Sequence, residues 1–191
     1  MKKNKLYAVF FLAIALGIAA ISFISYGYYP VAIVNGHFIT AKLFANDYAI
    51  ASAYYQNIIV KSYGNSSSTA GVLTSSEIQQ SVLTGLIENV LIEDGARKEM
   101  GGDLNRLVNE KVSKATDIDG IDRAVKSVYG MSLDDFKKEI LVPQAERDVL
   151  TGSLFLKGQK IEDWLSAAKK SSRVMILSGT FYWNGESVAS K

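Results

Sequence analysis

The chain opens with an uneven distribution of charge. Lys2, Lys3 and Lys5 are the only formally charged side chains before Lys42, and the stretch from Leu6 to Ile24 is almost wholly apolar. A bilayer core of about 30 Å is crossed by roughly 20 such residues in a helix, so the pattern predicts a single-pass transmembrane helix over Leu6–Ile24. Lysines ahead of the span and none close behind it predict a cytoplasmic N-terminus, with Tyr26, Tyr28 and Tyr29 at the far interface. A cleaved signal peptide is the alternative, with Ser25-Tyr26-Gly27 as a small-x-small triplet, but its apolar region is about 7–15 residues and this one is longer. The expected organisation is residues 1–29 as cytoplasmic tail and transmembrane signal anchor, and residues 30–191 as one extracytoplasmic domain on the outer side of the cytoplasmic (inner) membrane, in a periplasm.

Beyond the apolar stretch the periodicity changes. Val31-Ala-Ile-Val-Asn35-Gly36-His37-Phe-Ile-Thr40 alternates and turns on Asn-Gly, the pair preferred in a two-residue type I′ hairpin turn. A second Asn-Gly lies near the C-terminus, in Thr180-Phe-Tyr-Trp183-Asn184-Gly185-Glu-Ser-Val188, after a short strand candidate over Arg173 to Leu177. Everything between these β-segments has helical spacing. Phe44, Tyr48, Ala51, Tyr55 and Ile58 recur at intervals of four and three in a helix predicted from an N-cap at Thr40 to Tyr63, stopped by Gly64. Leu43, Ile50 and Tyr54 widen that stripe. Gly64 to Gly71 reads as a loop. Thr74-Ser-Ser-Glu77 is a capping box opening a helix whose apolar face carries Ile78, Val82, Leu83, Leu86, Ile87, Val90 and Leu91. Glu93–Arg97 and Asp94–Lys98 are i,i+4 pairs expected on its exposed side. Further helices are predicted over Leu104–Ala115, Ile121–Tyr129, from Ser132 onward, and over Ile161–Lys170. Pro143 is expected to kink or break the helix that starts at Ser132. The fold class is therefore mainly α with a small β-sheet, closed by its terminal strands and hairpins.

Charge and composition narrow the partners. The three N-terminal lysines leave 18 Lys and Arg against 19 Asp and Glu in the rest of the chain, a balance that gives no reason to propose nucleic acid. With no cysteine, disulfides, thiol catalysis, lipoprotein acylation and cysteine metal sites are excluded.

Candidate chemistry is sparse. His37 is the only histidine and flanks the hairpin turn, which makes it a surface residue. Asp134 and Asp135 sit in a predicted first helical turn, where the macrodipole favours negative charge, and read as capping residues. Asp117, Asp119 and Asp122 surround Gly120 without the glutamate that ends a calcium loop. No serine has the glycine context of a nucleophile elbow. No catalytic residue, cofactor or metal is expected, and the chain is not expected to be an enzyme.

The order of the pieces is more specific than any one of them. A Val-Asn-Gly-x-x-Ile-Thr hairpin leads into a long helix with Phe44 near its start. A Ser-rich loop precedes Val82-Leu-x-x-Leu86-Ile-Glu88-Asn-x-Leu91-Ile-x-x-x-Ala96, and Tyr129-Gly-Met-Ser-Leu133-Asp-Asp-Phe136-Lys-x-x-Ile140-Leu-x-Pro143 follows. This order resembles the N-terminal chaperone domain of the SurA/PrsA-type peptidyl-prolyl isomerase family, over Val31 to Leu154 and again from Trp164. The resemblance implies a module whose two terminal segments pack together and which binds unfolded polypeptide. In that family a parvulin domain is commonly inserted between the segments. Here only a turn separates Leu150 from Trp164, so the resemblance implies a membrane-anchored extracytoplasmic holdase without prolyl isomerase activity. A scaffold subunit for one dedicated envelope partner is the alternative, and an isomerase with an unrecognised site a third reading. The stripe of Phe44, Tyr48, Tyr55 and Ile58 serves either as ordinary core or as the peptide-binding surface, since tyrosine combines apolar area with a polar tip.

Overall fold

A computed structural model describes residues 2–56 and 73–191. Asn35 and Gly36 turn the chain with φ of 51° and 95°, the two left-handed conformations a type I′ turn needs. Strand β1 (Pro30–Val34) thereby pairs antiparallel with β2 (His37–Thr40). From the far end of the chain, β3 (Val174–Ile176) pairs antiparallel with the other edge of β1, so the sheet runs β2-β1-β3. Asn35 fastens that junction twice: its N–H donates to the Arg173 carbonyl at 2.9 Å, and its side-chain oxygen accepts from the Arg173 N–H at 3.0 Å. The period-2 rule then sends Ala32, Val34 and Ile39 inward, where they are buried.

The second hairpin, β4 (Phe181–Trp183) with β5 (Val188–Ser190), also forms. Its turn differs from the expected one. Gly185 has a positive φ but Asn184 does not, and Trp183 pairs with Val188, so residues 184–187 make a four-residue loop. The Asn184 side-chain oxygen accepts from the N–H groups of Glu186 and Ser187 at 2.9 and 2.8 Å. An Asx turn thus replaces the two-residue type I′ turn.

The expected transmembrane anchor over Leu6–Ile24 is corrected. That stretch is helical, within α1 (Lys2–Ser25), but among the described residues no helix is long and apolar enough to cross a membrane. The first turn of α1 carries Lys2, Lys3 and Lys5.

Helix α2 (Ala41–Tyr54) starts where Thr40 caps it, its hydroxyl accepting from the Leu43 N–H at 3.2 Å. Tyr55 and Gln56 continue it as a wider π turn, and the rest of the helix expected to Tyr63 lies outside the described residues. Ile58, the Gly64 stop and the Ser-rich loop lie outside the described residues. Helix α3 (Ser75–Met100) opens on the capping box, with the Thr74 hydroxyl accepting from the Glu77 N–H and Glu77 accepting from the Thr74 N–H. Leu83, Leu86, Ile87 and Leu91 are buried as expected, and so are Ile92, Gly95 and Ala96. Burial on more than one side shows that α3 is the central helix, with neighbours around it rather than on one face. Of the two expected ion pairs, Arg97 meets Glu93 at 2.7 Å, whereas Asp94 meets Nε2 of the exposed His37 at 3.2 Å instead of Lys98.

A 3₁₀ turn at Gly101–Asp103 leads into α4 (Leu104–Thr116), then α5 (Ile121–Tyr129), which ends at the left-handed Gly130. Ser132 caps α6 (Leu133–Phe136), accepting from the Asp135 N–H at 3.1 Å. The capping reading of that acidic pair is the local geometry. The long helix expected from Ser132 is interrupted by a π turn over Lys137–Leu141 before α7 (Val142–Leu156). Pro143 lies in the first turn of α7 and has no N–H to donate to the carbonyl four residues earlier. The Val142 N–H reaches back to Lys137 instead. Residues 157–160 then turn the chain into α8 (Ile161–Ser171). The core lies between α3, α4, α7 and α8 on one side and the sheets on the other.

Candidate functional site

Among the described residues, a trough bounded by α2, α3, α4, the π turn and α7 could accept a ligand. Its larger cleft measures about 520 Å³. Leu86 and Val108, both buried in the core, lie at its base, and Leu43, Val90, Val142 and Pro143 line its sides. Asn89, Asn105 and Asn109 add amide donors and acceptors. A second cleft of about 340 Å³ shares Asp47, Leu86, Asn89 and Glu139 with the first and extends it past Ile50 and Tyr54 toward Tyr129. A third, of about 420 Å³, runs on from Ile50 and Glu139 to Met131 and Asp135. Together they form one channel along the α2 face.

Carboxylates give the channel its electrostatic character. Asp47 is held up to a pKa of about 6, first by burial and then by the charge of Glu139. Its Oδ1 is buried and meets no hydrogen-bond donor among the described residues. Glu146 is raised to about 7, again first by burial, with Glu93 adding to the shift and Arg97 opposing it. Glu139 is nearly enclosed, with 12% of its side chain exposed, and its ion-pair partner Lys138 stands 3.8 Å away. Glu139 enters the channel because the π turn ahead of Pro143 carries it there; such turns inside helices recur at functional sites. Perturbed carboxylates converging on a cleft are a mark of a candidate site. No group of three or more His, Cys, Asp or Glu suited to a metal ion occurs among the described residues.

The aromatic stripe occupies a different face. Phe44 and Tyr48 are half-buried, Tyr55 is buried and its hydroxyl accepts from the Leu73 N–H at 2.8 Å. None of these three lines the trough. The face that does carries Leu43, Asp47, Ile50 and Tyr54. Tyr54 stacks on Tyr129 with ring centroids 5.7 Å apart, and Tyr129 in turn meets Phe136 at 5.1 Å, which fixes α5 and α6 against α2. His37, on β2, is exposed and lies outside the trough.

Comparison with known proteins returned no matching family model, no matching curated protein and no matching solved structure.

Proposed function

We propose that this chain is a polypeptide-holding module, docking segments of unfolded protein weakly and reversibly along the trough and so delaying their aggregation. The observation that carries the reading is the open channel with Leu86 and Val108 at its base and Asn89, Asn105 and Asn109 among its lining residues. Apolar walls with a few placed polar groups suit a peptide, whose side chains need burial and whose backbone needs hydrogen-bond partners. The pairing of β1 with β3 supports the resemblance to the SurA/PrsA-type chaperone module, since it joins the two ends of the domain. The reading includes no prolyl isomerase activity: α7 passes into α8 through residues 157–160 alone. It needs no membrane anchor.

The test is light scattering of an aggregating client protein with and without the purified chain. Slower aggregation of several unrelated clients at near-stoichiometric chain supports holding. Capture of a single protein in a tight stoichiometric complex, with no effect on the others, would instead support a dedicated scaffold subunit.

A further inference from the structure

We propose that the trough selects segments that place a lysine or arginine among apolar residues, and that the cation seats between the carboxylates of Asp47 and Glu139. This deepens the holding reading and rests on it. Asp47 comes from α2 and Glu139 from the π turn, and both line the first and second clefts of the channel where these join. Asp47 presents a buried carboxylate oxygen with no donor among the described residues. Among the described residues the cation paired with Glu139 is Lys138, at 3.8 Å, and the Lys138 side chain is itself 80% exposed, so it competes feebly. Glu93, by contrast, is already bound by Arg97 through contacts of 2.7 and 3.1 Å. Among the described residues, Asp47, Glu93, Glu139 and Glu146 face Arg97 and Lys138 as cations along the larger cleft, which leaves negative charge for an incoming cation to neutralise. A buried carboxylate without a partner is costly, and a charge-assisted hydrogen bond relieves that cost. A lysine or arginine stem can meanwhile lie along Ile50 and Leu86, which line the same stretch.

The test uses the full chain and three fluorescein-labelled peptides, alike in a leucine- and phenylalanine-rich sequence but carrying Lys, Gln or Glu at the centre. Fluorescence anisotropy should show the Lys peptide binding about tenfold more tightly than the Gln peptide, and the Glu peptide most weakly. The double variant Asp47→Asn, Glu139→Gln should bind the Lys and Gln peptides alike. Asp134→Asn, on the outer side of α6, should keep the preference. Neutralising an unpaired buried charge favours the folded state, and thermal melts would confirm that the double variant is folded. Equal binding of all three peptides overturns charge selection while leaving polypeptide holding in place. A lysine preference that survives in the double variant overturns the assignment to these two residues. Absence of binding by every peptide overturns the holding reading and the selection together.

Discussion

The Trp164 ring lies against the backbone of Gly95: a Cβ built there would stand 2.4 Å from Cζ2 and 2.5 Å from Cη2. This contact locks α8 onto the central helix α3. A glycine inside a helix ordinarily weakens it, and replacement by alanine gains about 1 kcal/mol of helix propensity. At Gly95 the sign should reverse, because the ring must move and Leu150 Cδ2, 3.2 Å away, closes another side. Gly95→Ala should lose about 1–3 kcal/mol through overpacking, read from urea unfolding. Pairing it with Trp164→Leu should cost less than the sum of the two single changes.

Raised carboxylate pKa values make stability depend on pH in a defined direction. Asp47 and Glu146 bind protons more tightly folded than unfolded, so their contribution is fully present below about pH 4 and is lost as pH rises through about 6 for Asp47 and about 7 for Glu146. Each group is partly open to solvent, which reduces the effect to the order of 1 kcal/mol. Denaturant unfolding of Asp47→Asn and Glu146→Gln should therefore show gains of that size at pH 8 and little difference from the parent at pH 4.

Glu88 joins three helices. From α3 it holds Arg147 of α7 at 3.2 Å and also Lys169 of α8. The Lys169 side chain is only 16% exposed, so removing the carboxylate leaves cations with reduced access to water. Glu88→Gln should cost about 1–3 kcal/mol, while Glu93→Gln, whose partner Arg97 is exposed, should cost under about 1 kcal/mol. Matched urea melts of the two variants provide the comparison.

Asn35 contributes to both the hairpin and its closure by β3. Its φ of 51° is unfavourable for most residues, and its side chain accepts from Arg173 at 3.0 Å. Asn35→Ala should destabilise the domain by about 1–2 kcal/mol. Amide hydrogen exchange should quicken at Val174 to Ile176 more than at the β4–β5 hairpin.

The parts that could be read from the sequence are those set by neighbours in the chain. The Thr74–Glu77 capping box, the Asn35-Gly36 turn and the break at Pro143 each depend on residues within a few positions of one another. The trough could not be read in this way. Phe44, Tyr48, Ala51 and Tyr55 have spacings of four, three and four, and so do Leu43, Asp47, Ile50 and Tyr54, one position earlier. Helical periodicity cannot choose between adjacent stripes with the same interval, and aromatic content favoured the one that does not line the channel. Asp47 interrupts the other stripe with a charge, and Glu139 stands four residues before Pro143; those are the two local signals by which the site could have been found. Their convergence depends on how α2 meets the π turn. Nor does an Asn-Gly pair fix its own turn, as the Asx loop at Asn184 shows. Nor did the long uncharged sequence of α1 yield, among the described residues, a helix long and apolar enough to cross a bilayer.

The most direct measurement is photo-crosslinking to an unfolded client from a benzophenone side chain introduced at Asn105, in the trough, and separately at Ser166, on the exposed side of α8. The account predicts client crosslinks from Asn105 that an excess of apolar peptide suppresses, and only background from Ser166. Equal yields from the two positions, or crosslinks from Ser166 alone, would contradict a polypeptide-holding trough.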